Sequence, residues 1–227
     1  PSLQMTAQEI AVDDYDVIGI GGLSSQYQDI KNILPLCRQI HPDALIVAGG
    51  GFVTYMPDKM LRLRPEIDII VIGEGEETWR DILRAAPKKD FSGVKGIAYR
   101  NEEGEVIFTE PRPLISDFDT LPYPAYDLME IDTYAENYDL CMSYESLHAK
   151  RKLCIISERG CPRQCTFCTH NGGSRWDLLV SMGKEKVLKL DEDYGFQQIA
   201  RFASPEYTVK HMQYLYENYD CKYINLT

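Results

Sequence analysis

The chain has 227 residues, 44 % of them hydrophobic and 26 % charged, with a net charge of −11. That length suits one large domain or two small ones, and the composition is that of an ordinary folded protein. The acidic balance argues against a general nucleic-acid-binding surface, and no apolar run approaches the roughly 20 residues that span a bilayer.

Leu3, Ile10 and Val12, with polar spacers, predict a short opening helix. Residues 16–20 are an apolar, β-rich run closed by Gly21 and Gly22, the pattern of a strand buried on both faces. Ile30, Ile33, Leu34, Cys37 and Ile40 then recur at helical spacing. Pro35 is expected to bend or shorten that helix, and His41-Pro42-Asp43 to stop it, with His41 as its cap. A second apolar run, 44–48, ends in Gly49-Gly50-Gly51, and a third, 69–72, ends in Gly73-Glu74-Gly75. Met60, Leu61 and Leu63 place a helix between them, and Trp79, Ile82 and Leu83 place one after the third strand. Strand and helix alternate, which predicts an α/β sheet of doubly wound type. In such a sheet a ligand sits outside the carboxyl ends of the strands, and glycines there let a flat group approach the backbone. The same glycines equally serve plain strand-to-helix turns. No G-x-G-x-x-G follows a strand, so a dinucleotide site has little support.

Residues 94–109 read as a hairpin. Pro111, Pro113, Pro122 and Pro124 mark residues 111–150 as a stiff linker. Its tyrosines, Tyr123 and Tyr126 among them, are read first as packing residues and otherwise as lining a substrate entrance.

Three of the seven cysteines, Cys161, Cys165 and Cys168, follow the spacing C-x3-C-x2-C. Three thiolates so close suit a cubane iron–sulfur cluster with one iron left to a non-protein ligand. A zinc site with His170 as fourth ligand, or simple buried thiols, are the other readings. Cys37, Cys141, Cys154 and Cys221 are scattered and read as ordinary thiols of a reducing cytoplasm. A helix over 183–194, a strand over 195–202, a helix over 208–219 and a strand over 223–226 follow.

The run Cys161-Pro162-Arg163-Gln164-Cys165-Thr166-Phe167-Cys168, entered from Ile155-Ile156-Ser157-Glu158-Arg159-Gly160, resembles the signature of the radical S-adenosylmethionine superfamily. Residues 13–127 resemble the cobalamin-binding domain that precedes many members. The matching pieces are 16–20, Ala48-Gly49-Gly50-Gly51, Gly73-Glu74-Gly75-Glu76-Glu77-Thr78, 96–100 and 121–127. The chain thus resembles a cobalamin-dependent radical S-adenosylmethionine enzyme.

The resemblance implies a doubly wound, Rossmann-like cobalamin-binding domain over 1–110, a linker over 111–150, and the first repeats of a partial (β/α) radical S-adenosylmethionine barrel over 151–227. The first domain is expected to lack its opening strand and the last its later strands. Cys161, Cys165 and Cys168 would hold a 4Fe-4S cluster, and Phe167 would border the adenine of S-adenosylmethionine. Ser24, Ser25, Gly50, Gly51, Glu74 and Gly75 would line the corrin and its nucleotide tail. Relatives often carry an acidic pair at Ser204 and Pro205; Glu206 would take over their contact to the S-adenosylmethionine ammonium. Glu76 and Glu77 read as acids suiting a helix dipole. The motif D-x-H-x-x-G is absent from the sequence, so no lower axial histidine is expected from this chain.

The implied reaction is reductive cleavage of S-adenosylmethionine to a 5′-deoxyadenosyl radical, used to methylate an unactivated carbon. Oxidative cyclisation or rearrangement with the same cofactors, or a cobalamin-binding module with a vestigial cluster site, are the alternatives. The implied partners are a small-molecule or peptide substrate and an electron donor of flavodoxin or ferredoxin type, with no membrane or nucleic acid. No catalytic side chain is singled out.

Overall fold

The computed structural model describes residues 3–136, 151–160 and 200–226. They form two compact units, divided after Leu114. The first runs α1 (Leu3–Ile10), β1 (Val17–Gly21), α2 (Tyr27–Ile40), β2 (Leu45–Gly49), α3 (Gly51–Thr54), α4 (Pro57–Leu63), β3 (Ile69–Val71), α5 (Glu76–Ala85), β4 (Ile97–Arg100) and β5 (Val106–Phe108). The strands make one sheet in the order β1-β2-β3-β4-β5. β1, β2 and β3 are parallel, and β4 and β5 return antiparallel as the expected hairpin.

Crossovers of one hand, repeated in one direction, put their helices on the same face of a sheet. Ile30, Leu34 and Cys37 of α2 and Met60 and Leu61 of α4 accordingly pack together on Ile46, Ala48 and Ile70. The alternate residues Val47, Ile69 and Val71 point to the other face, where Ile82 of α5 covers them. Both faces are therefore dry, which is why these strands read as unbroken apolar runs. Leu34, Ile46, Ile70 and Ile82 have no exposed surface, and each such side chain contributes about 1.5–3 kcal/mol relative to exposure. The strand order runs one way through the described residues. The reversal that marks the switch point of a doubly wound sheet is not among them.

α2 continues through Pro35 to Ile40, so the proline does not shorten it. Pro35 faces solvent, where water can serve the carbonyl that a proline leaves without a donor. His41 ends the helix as expected. Its backbone N–H donates to Cys37 at 2.9 Å, and its ring Nε2 lies 2.8 Å from the Ile10 carbonyl, tying α1 to α2.

The second unit holds a 3-10 turn (Phe118–Thr120), α6 (Ile131–Glu136), β6 (Lys152–Ile155), β7 (Glu158–Arg159), β8 (Arg201–Phe202), α7 (Pro205–Tyr219) and β9 (Tyr223–Leu226). β6 and β9 pair in parallel, and β7 and β8 pair antiparallel. Tyr126, Ile131, Leu153, Ile155, Leu215 and Cys221 form the core, so residues 115–136 pack into this unit. α7 begins at Ser204, whose hydroxyl accepts the Tyr207 N–H at 3.0 Å, with Pro205 in the first position. Of the strand expected over 195–202, Arg201–Phe202 is present as β8, while residues 195–199 and the helix expected over 183–194 lie outside the described residues.

Candidate functional site

The register pairs Gly21 with Gly49, so β1 and β2 end level. The loops beyond them touch backbone to backbone. Gly50 has φ +82°, and a Cβ there would lie 2.9 Å from the Gly22 carbonyl oxygen and 3.1 Å from its nitrogen. A side chain at 50 is excluded twice, by conformation and by space. Nothing lies within 4 Å of where a Cβ would stand on Gly51 or Gly73. Gly75 caps α5 without a side chain.

Ser24 and Ser25 form an exposed 3-10 turn just after β1, and Glu74 stands half-exposed after β3. All six residues expected to line a ligand therefore follow the carboxyl ends of three neighbouring strands. At Gly50, Gly51 and Gly75 this edge of the sheet presents bare backbone, a glycine shelf, with the side chains of Ser24, Ser25 and Glu74 beside it. Glu77 is held by Arg112, its Oε2 3.2 Å from the guanidinium Nη1, while Arg112 also pairs with Asp81. That pairing ties Glu77 to Arg112 at the start of α5.

A cleft of about 1200 Å³ opens at the opposite edge of the sheet, among Val17, Leu45, Ile69 and Tyr99. Its arginines are committed to the fold. Arg38 donates to Asp68 at 2.6 Å, whose same oxygen accepts the Ile46 N–H at 2.7 Å. Arg100 donates to the carbonyls of Leu61, Pro65 and Ile67. Ligands of open α/β sheets gather at the carboxyl edge, and the glycine shelf lies there.

Cys161, Cys165, Cys168, Phe167 and His170 lie outside the described residues. The chain leading to them is described: β6, then β7, then Gly160 at φ +89°. The guanidiniums of Arg159 and Arg201 lie 5.1 and 5.3 Å from the centroid of the Phe118 ring. Glu206 is exposed in the first turn of α7. An acid that the sequence reading missed stands beside that turn. Asp119 Oδ1 accepts the Ser204 N–H at 2.9 Å, and the Ser204 hydrogen bonds hold its carboxyl below the usual range. The two residues are far apart in sequence and share no local motif, so no sequence signal could have joined them. Cys37 is buried in the first unit, and burial pushes its thiol up, keeping it protonated and unreactive.

Residues 3–83 match the B12 binding domain family. An uncharacterised methyltransferase of Pyrococcus horikoshii is 32 % identical over 191 residues, 82 % of this chain and 39 % of that protein. The anaerobic magnesium-protoporphyrin IX monomethyl ester cyclase of Synechocystis is 33 % identical over 162 residues, 70 % of this chain and 30 % of the cyclase. The chain thus spans well under half the length of these relatives. Among solved structures, the cobalamin-dependent S-adenosylmethionine radical enzyme OxsB, with aqua-cobalamin and S-adenosylmethionine bound, superposes with a TM-score of 0.67 at 19 % identity. The match covers 100 % of this chain and 27 % of OxsB. With a B12 binding domain at its start and relatives aligned across most of its length, this chain belongs to the cobalamin-dependent radical S-adenosylmethionine family.

Proposed function

We propose that the chain forms part of a cobalamin-dependent radical S-adenosylmethionine methyltransferase. The observation that carries this reading is the coincidence of the B12 binding match with a glycine shelf at the carboxyl edge of β1, β2 and β3. Gly50, Gly51, Gly75, Ser24, Ser25 and Glu74 would hold the cobalamin. Backbone N–H groups and hydroxyls would orient its polar rim, while the absent side chains leave room for the macrocycle. The ring nitrogen of His41 already meets the Ile10 carbonyl, so it would not serve as an axial ligand. Cys161, Cys165 and Cys168 would anchor a 4Fe-4S cluster that binds S-adenosylmethionine, with Phe167 against the adenine and Glu206 near the ammonium. Bound together, these groups would supply radical generation and methyl transfer, while the protein positions them and excludes water. A flavodoxin- or ferredoxin-type donor would deliver the electron, and a reducing cytoplasm would preserve the thiolates.

Cyclisation is the second reading, favoured by the likeness to the Synechocystis cyclase. The deciding experiment uses the full-length protein, reconstituted anaerobically and given isotopically labelled S-adenosylmethionine. Label transferred as a methyl group to a substrate supports the first reading. 5′-Deoxyadenosine formed with a new ring and no methyl transfer supports the second. A protein that binds cobalamin and forms no 5′-deoxyadenosine would be a binding module.

A further inference from the structure

The core of the second unit surrounds one histidine with tyrosines. Nε2 of His211 lies 3.0 Å from the Tyr126 hydroxyl, and both residues are buried. Tyr123 stacks on the imidazole, ring centroids 4.2 Å apart and 8° from parallel. Tyr207, Tyr123, Tyr214 and Tyr219 continue as a row, with centroid steps of 5.2, 5.4 and 5.8 Å. Tyr126 touches the row again at Tyr219, 5.7 Å away. The row runs from the first turn of α7, just beyond β8, to the last residue of that helix.

Burial pushes Tyr126 up to about 12 and His211 down, so both are neutral near pH 7. With the ring proton on Nδ1, the Tyr126 hydroxyl donates to Nε2. A phenol that loses an electron must also lose its proton, and a base at hydrogen-bond distance takes it with no heavy-atom movement. The imidazolium so formed would lie against the face of Tyr123, where the ring quadrupole favours a cation.

We propose that Tyr126 and His211 are a proton-coupled redox pair that takes up oxidising equivalents reaching the tyrosine row. With hydroxyl radical as oxidant, one electron passes from Tyr126 along the row and reduces the radical to hydroxide. The O–H bond of Tyr126 breaks and an N–H bond forms at His211 Nε2, leaving a neutral phenoxyl radical and an imidazolium. Hydroxide and the imidazolium proton then give water. A thiol restores the phenol, losing one electron and one proton to become a thiyl radical. The pair would draw such radicals away from oxygen-sensitive groups, and it needs no bound cofactor.

The test oxidises the full chain, without added cofactors, with a photoexcited ruthenium polypyridyl complex and a cobalt(III) electron acceptor, and records the frozen sample by electron paramagnetic resonance. A hydrogen-bonded phenoxyl signal is expected that forms more slowly in D2O than in H2O. Tyr126→Phe should remove that component. His211→Gln should lower it by up to roughly tenfold, the upper worth of one ordinary hydrogen bond. A hydrogen-bonded signal that persists in Tyr126→Phe would overturn the proposal. So would formation at the same rate in both solvents, a comparison that needs no variant and holds even if a substitution misfolds.

Discussion

The two units are stabilised by different chemistry. The first has two aliphatic layers, built from residues such as Leu34, Ile46 and Leu61 on one face of its sheet and Val47, Ile69 and Ile82 on the other. Its candidate site is made by leaving side chains out: Gly50 and Gly22 meet through their backbones. The second unit packs a layer of aromatic rings, Tyr123, Tyr126, Tyr214 and Tyr219, against a small aliphatic core, and the polar tips of these rings need partners. Tyr126 finds His211, and the Tyr207 hydroxyl donates to the Leu121 carbonyl at 3.0 Å. An aliphatic core tolerates a ligand shelf at its edge because it asks nothing of that edge. A layer of tyrosines fixes its neighbours through hydrogen bonds, since an unmet buried polar group costs about 1–3 kcal/mol.

The sharpest contrast is among the cysteines. Replacing Cys161, Cys165 or Cys168 by Ala should abolish iron binding after anaerobic reconstitution. Cys37→Ala, in the buried first-unit core, should leave the iron content unchanged. Equal iron loss from both would show that Cys37 does not differ in kind from the three clustered thiols.

Next in size is Gly50→Leu. The side chain would meet Gly22 and adopt a disfavoured left-handed backbone, a conformation that costs on the order of 1–3 kcal/mol. Because the side chain would also fill space that the macrocycle needs, cobalamin binding by the full-length protein, followed by its absorption spectrum, should weaken by roughly tenfold or more, a loss of about 1.4 kcal/mol. Gly93→Ala, where a Cβ meets nothing within 4 Å, should change nothing. Normal binding by Gly50→Leu would refute a site built from missing side chains.

Tyr126→Phe tests the second unit. It leaves His211 Nε2 without its partner and should cost about 1–3 kcal/mol in denaturant unfolding. The same pair sets a pH dependence. His211 is lowered by burial, so the unfolded chain binds the proton more readily. Its contribution is fully present above the ordinary histidine value of about 6.5 and falls as the pH drops from there towards the lowered folded value. Tyr126 is raised to about 12. Its contribution is full below about pH 10 and falls as the pH rises from there towards the folded value. His211→Gln should lack the acid slope, which paired denaturation curves near pH 7.5 and pH 5.5 would reveal.

The smallest effect is expected from Glu77→Gln. Glu77 is half-exposed and Arg112 keeps Asp81 as a second partner, so the cost should be about 0.2–1 kcal/mol. Cobalamin binding should not change, in keeping with a shelf that uses backbone and not this acid.

Much of the first unit was legible in the sequence, because its signals are local. Runs of β-branched residues closed by glycine mark β1, β2 and β3, and the spacing of Ile30, Leu34 and Cys37 marks α2. His41 was legible as a cap because a proline follows it. Pro35 misled, since whether a proline stops a helix depends on which side of it meets water. The shelf was legible only as glycines at strand ends. That Gly50 presses on Gly22, or that Gly19 leaves room for Trp79, whose Cη2 would lie 2.9 Å from a Cβ there, depends on chain segments brought together from afar.

By itself the sequence determined the strand and helix periods, the cysteine spacing and the family resemblance, because each rests on residues within a few positions of one another. Only the tertiary structure decided that β6 pairs with β9, that Asp119 meets Ser204 and that Tyr126 meets His211. Each of these joins residues about 70 or 85 positions apart. A partner at that separation is selected by which surfaces the whole unit buries together and leaves no repeat or motif in the chain.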